Sequence, residues 1–343
     1  MNRLKAWLPK LSIVFRWLLL VVVVGFSVAY LVAQWPAVSE AIREIAPMSL
    51  LLSFLLVLVG LACGTMSWVA ILNGLGPRVN PARGAQVLLV GQLGKYVPGS
   101  VWSYVMQMEL GRQYGILRPR VLVTALYAAG IGVVSSLLLG ALALPTVIQG
   151  HPELLWLFVL LPIGLACLHP KVMTFLASLV LKIFRRPPLD HEVRFSVVLI
   201  ALGWSLASYV AYGFHLWLLV NSLVDPGIPN LILMTGAIAL AFTVGLFAFV
   251  LPSGVGIREA VLVGAMSLFL TVEQAAGISL VSRGLFTLAD LLAAGVAVLG
   301  AIILRRRLAR EDCPNPYATP VTDSDPSDGV SSVDPEPTGP SAS

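Results

Sequence analysis

Apolar residues in this chain are gathered into long uninterrupted runs. Trp17–Ala33, Met48–Leu72, Val121–Leu144, Leu154–Leu168, Phe195–Val220 and Ala276–Leu304 are six such stretches. About 20 apolar residues make a helix as long as a hydrocarbon core of about 30 Å is thick. The pattern therefore predicts an all-α polytopic membrane protein with about six full transmembrane helices. Two further apolar segments are broken in the middle. Gly84–Gly111 is interrupted by Lys95-Tyr96-Val97-Pro98-Gly99, and Leu231–Leu270 by Pro252-Ser253-Gly254-Val255-Gly256. Non-helical backbone at membrane depth is tolerated only where protein or a polar cavity covers it. Each half of the first segment is too short to span easily, so that segment reads as a re-entrant helical hairpin. The second reads the same way, or as two tilted spans, since its first leg is long enough to cross.

The basic residues set the direction of the chain. Arg3, Lys5, Lys10 and Arg16 precede the first run, and Arg78 and Arg83 follow the second. Arg112, Arg118 and Arg120 follow the first broken segment. Lys171, Lys182, Arg185, Arg186 and Arg194 fill the loop after the fourth run, and Arg305, Arg306, Arg307 and Arg310 close the last. The intervening loops have no positive excess. By the positive-inside rule both termini are cytoplasmic, the first broken segment enters from the inner face, and the second enters from the outer face. Within the basic loop, Val172–Phe184 reads as an interfacial helix on the inner leaflet. The first run is longer than a signal-peptide core and is followed by no convincing small-residue cleavage site, so it is taken as the first transmembrane helix.

Gly91, Pro98 and Val101 in the first broken segment match Gly245, Pro252 and Val255 in the second at identical offsets. These residue types are common in membrane helices, so the match alone is weak. Joined to the charge-derived inversion, it predicts an inverted-topology repeat whose broken helices, with Pro98, Gly99, Pro252, Gly254 and Gly256 as hinges, meet near the midplane around a substrate site.

Composition agrees with a bilayer setting. The chain is 58% hydrophobic and 11% charged, against about 25% charged in a soluble domain. The net charge of +5 is topological, so no nucleic-acid partner is expected. Cys63, Cys167 and Cys313 are scattered without a CxxC or Cys/His cluster, so neither a disulfide framework nor a metal site is supported. No phosphate-binding P-loop is present and no cofactor is expected. Residues 1–310 read as one membrane domain. The tail 311–343 is rich in Pro, Ser, Asp and Thr and reads as a disordered cytoplasmic segment.

Ionisable residues within the apolar segments cost about 2.5–3.5 kcal/mol each on insertion scales and are functional candidates by default. They are Lys95, Glu109, Arg258, Glu259, Arg283 and Asp290. Arg258 and Glu259 open a half-helix after the second break, where the helix N-terminus and the Arg258 cation suit a lipid phosphate. Glu259 would orient Arg258 or carry a proton, and the alternative is a structural Arg–Glu pair. Lys95 and Tyr96 lie at the first break, where a phosphate contact competes with an ordinary interfacial lysine. Arg283 and Asp290 share a helical face about 10 Å apart along the axis, which points to partners on other elements. Glu109 and Arg112 read as interfacial, His215 as a packed histidine, Gly60 and Gly64 as a close-packing motif, and Trp35 and Trp156 as interface anchors.

The two breaks also carry a family resemblance. Gly91-Gln92-Leu93-Gly94-Lys95-Tyr96-Val97-Pro98-Gly99 followed by Trp102 resembles the first signature of the lysylphosphatidylglycerol synthase transmembrane region, a flippase-like family. Pro252-Ser253-Gly254-Val255-Gly256-Ile257-Arg258-Glu259 resembles its second. The resemblance covers the membrane part to about Arg307 and implies a lipid-handling domain of a bacterial plasma membrane. In full-length synthases a soluble C-terminal domain attaches the amino acid. Here only the tail follows Arg310, so lysyl transfer is not implied.

The expected function is translocation of an anionic lipid or lipid-linked headgroup between leaflets. Lys95, Tyr96, Arg258, Glu259 and Arg283 are the candidate substrate contacts, with a membrane enzyme as a possible partner. Two other classes remain: a scaffold acting through the basic loop and tail, and a lipid-modifying enzyme. For the last, no nucleophile–base pairing or metal spacing is visible, so an enzyme is not the expectation.

Overall fold

The computed structural model describes residues 42–96, 101–148, 193–225, 227–247 and 254–311, with Ser39 and Val172. The expected first and fourth spans, the interfacial helix beyond Val172, the hinge residues Pro98, Gly99 and Pro252, and the tail after Glu311 lie outside these residues. So do Cys167, Cys313, Trp35 and Trp156. The chain divides into units Met1–Ile302 and Ile303–Ser343; the first carries everything that follows.

Among the described residues every regular element is helical. They are α1 (Pro47–Gly74), α2 (Pro81–Gly91), a 3-10 turn (Gln92–Tyr96), α3 (Val101–Gln113), α4 (Arg118–Ile148), α5 (Phe195–Val220), α6 (Gly227–Phe247), α7 (Ile257–Met266) and α8 (Val272–Glu311). Five stretches are long and apolar enough to cross a membrane: Pro47–Gly74, Arg118–Ala143, Phe195–Val220, Gly227–Phe247 and Val272–Ile303. Four of them coincide with expected spans. Leu51, Leu55, Val59, Leu199, Ile200, Leu292, Val296 and Leu299 on these helices are exposed apolar side chains, as a lipid-facing surface requires.

The helix starts follow local chemistry. Pro47 and Pro81 occupy first-turn positions, where a missing N–H costs nothing. Asn80 caps α2 by accepting the Ala82 N–H at 2.9 Å. The first broken segment folds as expected into two short helices, α2 of 11 residues and α3 of 13, packed on each other. Gly94 makes that packing possible. A Cβ there would lie 2.6 Å from the Ser103 amide nitrogen and 2.8 Å from its Cα, so only a bare backbone fits.

The second broken segment has legs of unequal length. Its first leg, α6, has 21 residues and a crossing length of about 32 Å, whereas α7 has 10 residues and reaches about 15 Å. By length and composition α6 is able to cross a membrane and α7 is too short to do so, and the two helices pack on each other. Two positive-φ glycines explain the break. Gly254 (φ 68°) approaches Gly245 so closely that a Cβ would lie 2.9 Å from the Gly245 Cα. Gly256 (φ 86°) caps α7, and its N–H is accepted by the Glu259 carboxylate at 2.7 Å.

Burial collects α5, α6, α7 and α8 around Leu216, Leu219, Met234, Ile238, Leu262, Met266 and Ile278. Several polar groups inside the bundle are paired through backbone or hydroxyl partners. Ser208 donates to the Gly60 carbonyl at 2.7 Å, which locks α5 to α1 at the Gly60 packing site. His215 is fully buried between Ser53 (2.6 Å) and Ser282 (2.8 Å). Its Nδ1 also faces the Ser53 carbonyl at 3.2 Å. A carbonyl only accepts, so the contact places a proton on Nδ1. Both ring nitrogens are engaged, which fits the expectation of a packed histidine.

Candidate functional site

The two breaks face one cavity of about 360 Å³. Its wall takes Gln92, Lys95 and Tyr96 from the first break, and Gly254 and Arg258 from the second. The last helix contributes Arg283, Phe286, Thr287 and Asp290, while Trp68, Ser103, Tyr104, Gln107, Phe242 and Gly245 complete it. Most of the lining is apolar, with the charges confined to a few positions.

α8 organises those charges. Asp290, with its side chain 3% exposed, accepts from Lys95 Nζ at 2.6 Å, Tyr96 Oη at 2.6 Å and Gln92 Nε2 at 3.1 Å. Two turns earlier on the same helix, Arg283 forms an ion pair with Glu259, again largely buried. Asp290 and Arg283 therefore find partners on different breaks, in keeping with their axial spacing. The first break is held by Asp290 and the second by Arg283. Charge-assisted hydrogen bonds of this kind are the strong ones.

Arg258 is different. It is 8% exposed, and its guanidinium lies 3.8 Å from the Phe242 ring centroid and 4.3 Å from that of Phe286. Cation–π contact offsets part of the desolvation of such a group. No carboxylate among the described residues forms an ion pair with it, and its Nη2 has no hydrogen-bond partner. The structural Arg258–Glu259 pair weighed as the alternative does not form, because Glu259 turns back to cap Gly256 and to meet Arg283. With Lys95 balanced by Asp290 and Arg283 by Glu259, the cluster holds one uncompensated positive charge, on Arg258. Tyr212, Phe242 and Phe286 buttress it: Tyr212 stacks on Phe242 at 5.4 Å and meets Phe286 edge-on at 4.8 Å.

Of the residues singled out from sequence, Lys95, Tyr96, Arg258 and Arg283 line the cavity, and Glu259 stands behind Arg283. Gly254 lines it as well, while Gly256 shapes the helix start. Glu109 lies elsewhere, in a surface cluster with Arg112 (2.8 Å) and Arg118 (2.6 Å). The hydrogen bonds from Arg112 and Arg118 hold its carboxyl below the usual range. Sequence reading missed Gln92, Gln107, Trp68, Phe242 and Phe286. The two glutamines carried a usable signal, since an amide inside an apolar segment needs a partner as an ionised group does. The aromatics carried none, because nothing local separates them from other apolar residues.

The family model described as the lysylphosphatidylglycerol synthase TM region matches residues 13–295. No curated protein matches the chain. The chain belongs to the lysylphosphatidylglycerol synthase transmembrane-region family and is a multi-pass membrane protein. The description of the matching model is that of a transmembrane region.

Proposed function

We propose that this protein moves an anionic lipid, or a lipid-linked headgroup, between leaflets through the cavity between the two breaks. One observation carries the reading: a buried arginine without a counter-charge faces a cavity shared by both broken segments. An isolated buried charge is costly, and a phosphodiester entering the cavity supplies the missing anion. The apolar wall suits passage of a headgroup stripped of bulk water. Lys95, Tyr96, Glu259 and Arg283 then act as the frame that holds the breaks apart and leaves Arg258 unpaired. The inverted arrangement of the breaks and the bacterial plasma-membrane setting with cytoplasmic termini belong to the same proposal.

The test is leaflet exchange in proteoliposomes, read by dithionite bleaching of a headgroup-labelled anionic phospholipid. Wild-type protein accelerates exchange, and Arg258→Gln reduces the rate at least about tenfold, the equivalent of losing one charge-assisted hydrogen bond. Exchange unaffected by wild-type protein, or equal for wild type and Arg258→Gln, overturns the reading.

A further inference from the structure

The two ties on α8 differ in how open they are. In the second, the Arg283 and Glu259 side chains are 12% and 13% exposed, and Glu259 also accepts the Gly256 N–H. In the first, Asp290 is 3% exposed while Lys95 is 31% exposed. Lys95 lines the cavity together with Asp290, Arg258 and Arg283, and its ammonium lies 5.4 Å from the Tyr96 ring centroid. Of the three cations in the described wall it is the most exposed, so an anion arriving in the cavity has better access to it than to the other two.

Asp290 does not depend on Lys95 alone. It also accepts from Tyr96 Oη at 2.6 Å and from Gln92 Nε2 at 3.1 Å. These two neutral donors keep the carboxylate hydrogen-bonded when the ammonium turns away, as a buried polar group requires. The lysine carries its charge on a flexible four-carbon stem, so it turns within the cavity rather than leaving it. A phosphodiester has two unesterified oxygens. Arg258 takes one, and the other needs a second donor. Neither break has another cation to offer: residues 97–100 and 248–253 contain no ionisable side chain.

Resting on the translocation reading above, we infer that Asp290 holds the place of the cargo phosphate at Lys95: an entering phosphodiester competes with Asp290 for the ammonium and draws Lys95 off α8. In the unloaded protein the pair ties the first break to α8. Loading exchanges that tie for a bridge that runs from Lys95, through the phosphate, to Arg258 beside the second break. The Arg283–Glu259 tie stays closed. Release of the first break from α8 is thus conditional on cargo.

The experiment is native mass spectrometry of the full chain released from nanodiscs that hold equal amounts of phosphatidylcholine and phosphatidylglycerol. Asp290→Asn frees Lys95 from its competitor and is expected to raise phosphatidylglycerol retention about tenfold, the worth of one charge-assisted hydrogen bond. Lys95→Met is expected to lower retention by a similar factor. In the Lys95→Met background, Asp290→Asn is expected to add nothing. A fall in both single variants makes the pair purely structural and overturns the inference. A gain from Asp290→Asn that persists without Lys95 also overturns it, because the effect is then the loss of a repelling charge. Should Asp290→Asn not fold, Gln92→Met decides: with one neutral donor gone, Asp290 grips Lys95 harder, and retention falls about threefold with Lys95 present but not with Met in its place. An equal fall in both backgrounds counts against the exchange. Phosphatidylglycerol held no better than phosphatidylcholine by any of these proteins sinks the translocation reading itself. Excess water-soluble glycerophosphoglycerol is expected to leave the bound lipid in place, and its displacement of lipid at equal concentration would overturn the assignment of the site to a lipid.

Discussion

Replacing Asp290 with Asn tests whether the first break is held by its charge. The substitution keeps the shape of the side chain and one carbonyl acceptor, so Gln92 and Tyr96 retain a weakened partner. Lys95 loses its counter-ion. Breaking a buried pair by removing one partner costs about 3–5 kcal/mol. The Lys95 side chain is 31% exposed against 3% for Asp290, so water recovers part of the lysine's solvation and the expected cost falls to about 2–3 kcal/mol. In a chain of this length that is a fall of the order of 5 °C in melting temperature, measured by intrinsic fluorescence in detergent. Lys95→Met alone strands the carboxylate in the less exposed position and costs at least as much. The double variant removes both charges, so it should recover about 1.5–3 kcal/mol relative to the sum of the singles. Additive singles, or an Asp290→Asn protein that melts with the wild type, would refute the argument that this pair fastens the first break to α8.

Three further outcomes follow from the same geometry. Gly94→Ala pushes a Cβ to within 2.6 Å of the Ser103 amide nitrogen and should destabilise by about 3 kcal/mol. Gly203→Ala and Gly264→Ala meet nothing within 4 Å and should be neutral or stabilising by up to about 1 kcal/mol, all three read from detergent melts. Glu259→Gln weakens the cap on Gly256 and removes the ion pair to Arg283; a loss of about 2 kcal/mol is expected, with Arg283→Gln in the same background adding much less than it does alone. The Glu109 carboxyl is held below its usual range by Arg112 and Arg118. Its contribution to stability is present above the ordinary carboxylate pKa of about 4.3 and is lost as pH falls through the lowered value. Melting curves between pH 6 and about pH 3 should show a loss that Glu109→Gln abolishes.

Four of the span positions and the family were legible in the sequence because they rest on local quantities: run length, flanking charge and the spacing of Gly and Pro. Phe195–Val220 was bounded to the residue, and Met48–Leu72 lies within the observed helix by two residues or fewer at each end. Two of the glycines singled out at the breaks, Gly254 and Gly256, adopt conformations that favour glycine. Pairing was not legible. Arg258 and Glu259 are neighbours in sequence, so a local reading pairs them, but consecutive helical residues point about 100° apart and do not face each other. Their separation onto different partners follows from tertiary packing: Glu259 folds back to its own helix start while Arg258 enters an aromatic cleft made by α6 and α8. That the first leg, α6, is long enough to cross was read from the sequence; the shortness of α7 was not, since one apolar segment looks the same whether it is cut in the middle or off-centre. The wall residues that no motif contains, Gln107 and Trp68, show the general limit. A motif names residues near each break, whereas the chemistry of the cavity is completed by elements far away in sequence. If α8 is the post to which both breaks are tied, one through Asp290 and one through Arg283, then cargo entering beside Arg258 must act on a frame already neutral elsewhere. That leaves Arg258 as the cavity's one uncompensated charge among the described residues, and so as the position on which the proposed translocation stands or falls.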